Sequence, residues 1–389
     1  MKDYLGIEHV KAIEVLDSIG NPALQVEVVT EGGFSGTSTI SSETSSSSYS
    51  AHSLQDGDVT RYGGKGVQEC IKNVDRIATR INGMNVYDQR KIDSLLISLD
   101  DSKNKSNLGC NTLMGISVAV AKAASNSLGQ QLYSYIGGVG CNTIPTPIIS
   151  VINGGRLSDN NLNFQDFMIV PNKGDCFNKK IQIGTEIYHS LKSLLAIKKL
   201  NTSTSDYGGF TPNLDNDKEA LDLIIEAIRK AGYIPKTDVS IALNIGANEM
   251  RKSAISTNSD GYLFLKNEEL KTTDEIIDCI CDICEKYPII FVEDALSETD
   301  LDSWKKLKCS IGNKSILIGN DIFAGNISRL KKGIKHEVAN GIIINPNYIG
   351  TLSETLDIID FAKSNKYTII ISSQSGDIED GFISDLAVA

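Results

Sequence analysis

Apolar runs that stop abruptly at polar side chains recur along the second half of the chain. The sharpest is Tyr287–Glu298, YPIIFVEDALSE, where Ile289–Val292 ends at Glu293 and Asp294. A short β-branched and aromatic run without alternation predicts a strand buried on both faces, the type found in parallel sheets. Further runs share the design. Val239–Leu243 ends at Asn244, Ser315–Gly319 at Asn320 with Asp321 behind it, Gly341–Ile344 at Asn345, and Tyr367–Ile371 at Ser372 and Ser373. Between them, Thr273–Lys286, Asp300–Lys308, Asn326–His336 and Ser353–Ser364 carry helical periodicity. Strand, polar tip and helix in repetition predict an α/β fold of the (β/α) barrel type, with its site at the C-terminal strand ends. Asn244, Glu293, Asn320, Asn345 and Ser373 are therefore expected in one ring. Asp294 and Asp321 follow tip residues directly, and alternation on a strand predicts that they face away from the mouth.

The first half has a different pattern. Gly6–Glu14, Ala23–Thr30 and Phe34–Ile40 alternate in the strand manner around the turns SIGNP and EGG, an antiparallel meander. Helical stretches follow at Gly66–Ile81, Val86–Leu99 and Asn111–Leu128, the last rich in Ala, Ser and Gly. Strands first and helices after predict an α+β domain over residues 1–137. Residues 138–389 form the barrel domain. It opens with strands at Ile148–Asn153 and Phe164–Val170 and helices at Asn178–Ile197 and Asp215–Ala231. Ser41–Ser50, SSETSSSSYS, has neither apolar periodicity nor glycine. It reads either as a solvated loop or as a lid over the barrel mouth with Ser42 as an oxygen ligand.

Composition narrows the function classes. With 389 residues there is room for two domains with large cores. A net charge of −11 without a basic cluster argues against nucleic acid or an anionic membrane as partner. No apolar run approaches the roughly 20 residues of a membrane helix, and MKDYLGIEHV has no signal-type apolar core. The eight cysteines lack framework spacing, which predicts reduced thiols in a cytoplasmic setting. Cys281 and Cys284 form a C-x-x-C on a predicted helix and read as core packing.

Motifs then join the pattern. LDSIGNP (Leu16–Pro22), YGGKGV (Tyr62–Val67), LDDSKNKSNLGCN (Leu99–Asn111), VINGG (Val151–Gly155), FQDFMIVP (Phe164–Pro171), GGFTPN (Gly208–Asn213), YPIIFVED (Tyr287–Asp294), IGTLSET (Ile349–Thr355) and SQSGDIED (Ser373–Asp380) stand in one order. In these motifs the chain resembles the enolase family from Ile7 to its last residue. The resemblance implies a small α+β domain ahead of a modified (β/α)8 barrel. It also implies dehydration of 2-phosphoglycerate to phosphoenolpyruvate with magnesium as cofactor, and a homodimer.

That reaction removes a proton beside a carboxylate, so it needs a base, an acid and cations to hold the developing charge. The resemblance puts the base, a lysine in the family, at Asn345. It puts the general acid at Tyr207 and a second acid at Asp166. The magnesium carboxylates fall on Asn244, Glu293 and Asn320, with Ser42 as a further oxygen, so one carboxylate survives. Substrate contacts fall on Gln165, Leu157, Ser373, Gln374 and Ser375, and the family's histidines and arginine are gone from them. Ala389 falls within the helix after the Tyr367–Ile371 strand. The family continues with another strand and helix, so an open barrel edge and fewer dimer contacts are expected.

Three readings follow. Loss concentrated on the chemistry, with the framework motifs intact, favours an inactive enolase-like protein that binds a ligand or a protein partner. A divergent active enzyme acting on a small phosphorylated substrate is the alternative. A degenerating product without a stable fold is the third.

Overall fold

The structure, a computed structural model, describes residues 4–389 apart from Ser46, Leu265, Gln374, Ser375 and Asp377. Alternating side chains build the first layer. β1 (Ile7–Leu16), β2 (Pro22–Thr30) and β3 (Ser35–Ser41) pair antiparallel in sequence order. Val10, Leu24, Val26 and Val28 turn one face inward onto α1 (Gln68–Ile81) and α3 (Cys110–Ser127), and α2 (Gln89–Asp100) packs alongside. The small residues of α3 let it lie close on the sheet. A Cβ at Gly36 would stand 2.2 Å from the Ala119 carbonyl oxygen, so only glycine permits this approach. The short α4 (Leu132–Gly137) closes the layer.

The second layer is a curled sheet of seven strands. These are β4 (Ile149–Asn153), β5 (Asp166–Pro171), β6 (Val239–Asn244), β9 (Ile289–Glu293), β10 (Ile316–Gly319), β11 (Gly341–Ile344) and β12 (Thr368–Ile371). They lie in the order β12-β11-β10-β9-β6-β5-β4. The pairs from β6 to β12 are parallel, as the apolar runs predict. β5 is antiparallel to both β4 and β6. Two helices, α5 (Phe177–Ile197) and α6 (Asp217–Lys230), therefore follow one another between β5 and β6. Among the described strands, β4 and β12 stand at the two ends of this order.

Between β6 and β9 the chain adds α7 (Ala247–Ser256) and a hairpin of β7 (Tyr262–Phe264) and β8 (Glu269–Lys271), which the periodicity did not reveal. The hairpin is held by burial of Tyr262 and Phe264 in the main core, a tertiary contact that leaves a run too short to stand out in sequence. Outside the sheet stand α8 (Thr273–Lys286), α9 (Leu301–Ile311), α10 (Ile327–Lys335), α11 (Leu352–Ser364) and α12 (Phe382–Val388). Each of the predicted barrel helices is present within three residues of its expected ends. α8 starts with a capping box: Thr272 Oγ1 accepts the Glu275 N–H at 3.3 Å, and Glu275 Oε2 accepts the Thr272 N–H at 2.7 Å. Thr272→Ala is expected to cost about 1 kcal/mol. A urea titration with an unchanged midpoint would show that the cap contributes nothing.

Among the described residues, no helix is long and apolar enough to cross a membrane.

Candidate functional site

The inner lining of the curled sheet is a small apolar layer of Met168, Val170, Ala242, Phe291, Ile318 and Ile343. Side chains alternate along a strand, so the residue two places on points the same way. Two places toward the mouth from Met168, Ala242, Phe291, Ile318 and Ile343 stand Asp166, Asn244, Glu293, Asn320 and Asn345. The pleat therefore carries all five to one rim. β5 runs opposite to its neighbours, so Asp166, at its start, meets the ends of the parallel strands. Register agrees: Asp166 lies opposite Asn244, and Asn244 opposite Glu293. All five line one cavity, together with Leu157, Gln165, Tyr207, Asp321 and Ser373. The ring expected from the strand tips is thus present. Gln374 and Ser375 lie outside the described residues.

Most of these side chains are committed to local hydrogen bonds. Asn345 Oδ1 accepts the Asn347 N–H at 3.2 Å and so caps the turn at Pro346–Tyr348. Asn244 Oδ1 accepts the Gly246 N–H at 2.9 Å. The Asn320 amide donates to Glu293 Oε1 at 3.1 Å. Asp166 Oδ1 accepts from the Ser150 hydroxyl at 2.6 Å and from the Asn153 amide at 2.7 Å. Asn153 Oδ1 in turn accepts from Ser205 Oγ and from the Gly209 N–H. This chain of bonds fixes the loop that holds Tyr207. A Cβ at Gly209 would stand 2.3 Å from Asn153 Oδ1, which explains the glycine there. Tyr207 itself stays at the rim, 39% exposed.

Burial dominates the electrostatics. Glu293 is pushed up to about 8, first by burial and then by the charges of Asp166 and Asp321. Burial pushes Asp166 up to about 7, against the pull of Ser150 and Asn153. Asp294 is also raised well above the carboxylate range, by burial and by Asp321 and Glu293.

Two expectations need correction. Asp294 does turn away from the cavity, but Asp321 lines it. The strand β10 has ended at Gly319, so alternation no longer governs Asp321. Asp294, at φ +46°, leaves the strand path and accepts the Asn320 and Asp321 N–H groups at 2.9 and 3.0 Å, which sets the direction of that turn. The serine-rich segment is not simply solvated. Ser47 is buried, its hydroxyl bonded to Glu298 and to the Asp321 carbonyl, and Tyr49 lies 3.6 Å from the Arg329 guanidinium. Glu43, Thr44 and Ser45 line the cavity. Ser42 does not; it is buried and donates to the Pro22 carbonyl at 2.6 Å.

The cations at the mouth were missed. Lys65 and Arg156 both line the cavity. Lys65 pairs with Glu43 at 3.4 Å and Arg156 with Glu249 at 3.8 Å. Arg156 sits in the polar loop beside Leu157, and that neighbourhood was the one available sequence signal for it.

Residues 7–136 match the family model of the enolase N-terminal domain, and residues 141–389 that of the enolase C-terminal TIM barrel domain. The chain belongs to the enolase family. Both matches fall on the two layers described above, and together they cover nearly the whole chain. This is an enolase-like protein whose polar ring occupies the C-terminal face of the enolase barrel.

Proposed function

We propose that this enolase-family protein does not dehydrate 2-phosphoglycerate and that its barrel mouth serves as a binding site. The observation that carries this reading is Asn345. It takes the place of the catalytic lysine, an amide has no lone pair basic enough to accept a proton, and its oxygen is already spent on the Asn347 N–H. Tyr207 takes the place of the general acid, with a phenol where the family has a carboxyl group. Asp166 remains as the shorter second acid. The substrate contacts Leu157 and Ser373 bring no charge. The test is a direct assay of phosphoenolpyruvate formation on folded protein with excess magnesium.

The donor set does not fit the family's magnesium ion. Magnesium is a hard cation held mainly by anionic oxygens. Here Asn244 and Asn320 are neutral, Asn244 oxygen holds a backbone N–H, and Asn320 turns an N–H onto Glu293. Glu293 and the neighbouring Asp321 are the acids left on that side of the ring. A few millimolar magnesium should therefore barely move the melting temperature of the wild type. Asn244→Asp/Asn320→Asp should restore a shift, approaching about 2.7 kcal/mol when magnesium exceeds its Kd 100-fold. A clear rise in the wild type that Glu293→Ala abolishes would overturn the proposal and favour the active enzyme.

A further inference from the structure

We propose that one side of the barrel mouth is clamped from outside the barrel. The α2–α3 face of the first layer grips the segment from Asn345 to Glu354, and Asp93 is the positioning residue at the centre of the grip. A displacement of α2 and α3 then moves the Asn345 side of the rim, and a ligand seated against Asn345 shifts α2 and α3 in return. This coupling stands independently of the binding-site reading.

The start of α11 supplies the first observation. The first N–H groups of a helix have no partner within it. In α11 the Glu354 N–H is satisfied locally, by Thr351 Oγ1 at 3.2 Å. The two before it are satisfied by the other layer. The Leu352 N–H donates to Ser117 Oγ of α3 at 3.0 Å, and the Ser353 N–H to Asp93 Oδ2 of α2 at 3.0 Å. The Ser353 hydroxyl donates to the same carboxylate oxygen at 2.6 Å. Asp93 and Ser117 are fully buried. The Gln89 amide donates to Asp93 Oδ1 at 3.0 Å and to Ser117 Oγ at 3.1 Å, which ties the two acceptors together. A carboxylate in this place complements the helix dipole, and removing it strands buried donors.

The second observation is the path from α11 to the rim. Lys105 Nζ pairs with Glu354 Oε1 at 2.9 Å. The Lys105 stem lies against Gly350, where a Cβ would stand 3.1 Å from Lys105 Cε. The Ala51 N–H donates to the Tyr348 carbonyl at 3.2 Å, and the Cys110 thiol to the Asn347 carbonyl at 3.1 Å. The Asn347 N–H then donates to Asn345 Oδ1, on the rim itself. Coupling between sites is carried by packed and hydrogen-bonded contacts of this kind. Asn244 and Glu293 are held differently, by β6 and β9, which pair with each other inside the sheet. Their strands are the internal control.

Amide hydrogen exchange of the full chain, read by mass spectrometry, tests the clamp. Labelling times are kept short enough that β6 and β9 stay protected in the wild type, so that local opening alone is observed. In Asp93→Ala, peptides covering residues 345–351 and 352–356 should both exchange about tenfold faster, the factor expected when charge-assisted hydrogen bonds are lost. Peptides over β6 and β9 should stay protected. Asp93→Asn keeps an acceptor for the Ser353 N–H and should recover most of the protection. Ser117→Ala removes only the acceptor of the Leu352 N–H. It should give the same pattern at smaller size, and it carries the test if Asp93→Ala does not fold. Unchanged exchange over residues 345–351, acceleration confined to residues 352–356, or an equal loss of protection in β6 and β9 would overturn the inference.

Discussion

Purified protein given 2-phosphoglycerate and excess magnesium is expected to form no measurable phosphoenolpyruvate. A general acid or base contributes about 10²–10⁴ in rate, and on the proposed reading both positions, Tyr207 and Asn345, have changed type. On the proposed reading, cation stabilisation of the intermediate is weakened as well, because amides stand at two of the positions the resemblance gives to magnesium carboxylates. The losses are not additive, but a constellation that acts as a unit fails when any essential member is missing. For the same reason Asn345→Lys alone should recover nothing. A lysine at the end of β11 would meet Glu293 and Asp166 without the paired ions that an enolate dianion requires. Measurable turnover is expected only in the combined variant Asn345→Lys, Tyr207→Glu, Asn244→Asp and Asn320→Asp. Robust activity in the single Asn345→Lys variant would show that the ring still holds magnesium. Turnover by the wild type that disappears in Glu293→Ala would refute the binding-site reading altogether.

Glu293→Gln should stabilise the fold, and more so as pH rises. An exposed glutamate titrates near 4.3, whereas burial and the charges of Asp166 and Asp321 push Glu293 up to about 8. Between those values the folded state binds a proton that the unfolded state has released. Stability therefore falls as pH climbs through that window, at about 1.4 kcal/mol per unit for a single group. Sharing of protons with Asp166 and Asp321 reduces the total. A gain of about 3 kcal/mol is expected from Glu293→Gln at pH 8.5, and less than about 1 kcal/mol at pH 5. The glutamine can still accept from Asn320, so the hydrogen bond survives. Chemical denaturation of both proteins at the two pH values measures the difference. A variant that is less stable than the wild type at pH 8.5 would mean that Glu293 is held ionised by a favourable partner.

The alternating runs of the meander, the apolar runs of the parallel strands and the periodic helices were legible because burial on a strand or a helix imposes a period on the sequence itself. The resemblance to the enolase family also puts Asn345 at the lysine position and Asn244 and Asn320 at acid positions, an assignment made on residue type and motif order alone. The polar ring could be named from the strand tips because a barrel carries all its tips to one end.

Tertiary structure decided what local pattern cannot encode. It reversed β5, so that Asp166 reached the rim from the start of its strand. It placed Asp321 in the cavity, because the chain turns after Gly319 under the direction of the buried Asp294 carboxylate. It drew a serine-rich segment onto Glu298 and Arg329, contacts separated by some 250 residues or more in sequence. It paired Lys65 with Glu43 and Arg156 with Glu249 at the mouth. Each of these outcomes depends on which distant groups share a small volume. Charge and hydrogen-bond energies are set by distance and burial there, and neither is a property of a stretch of sequence.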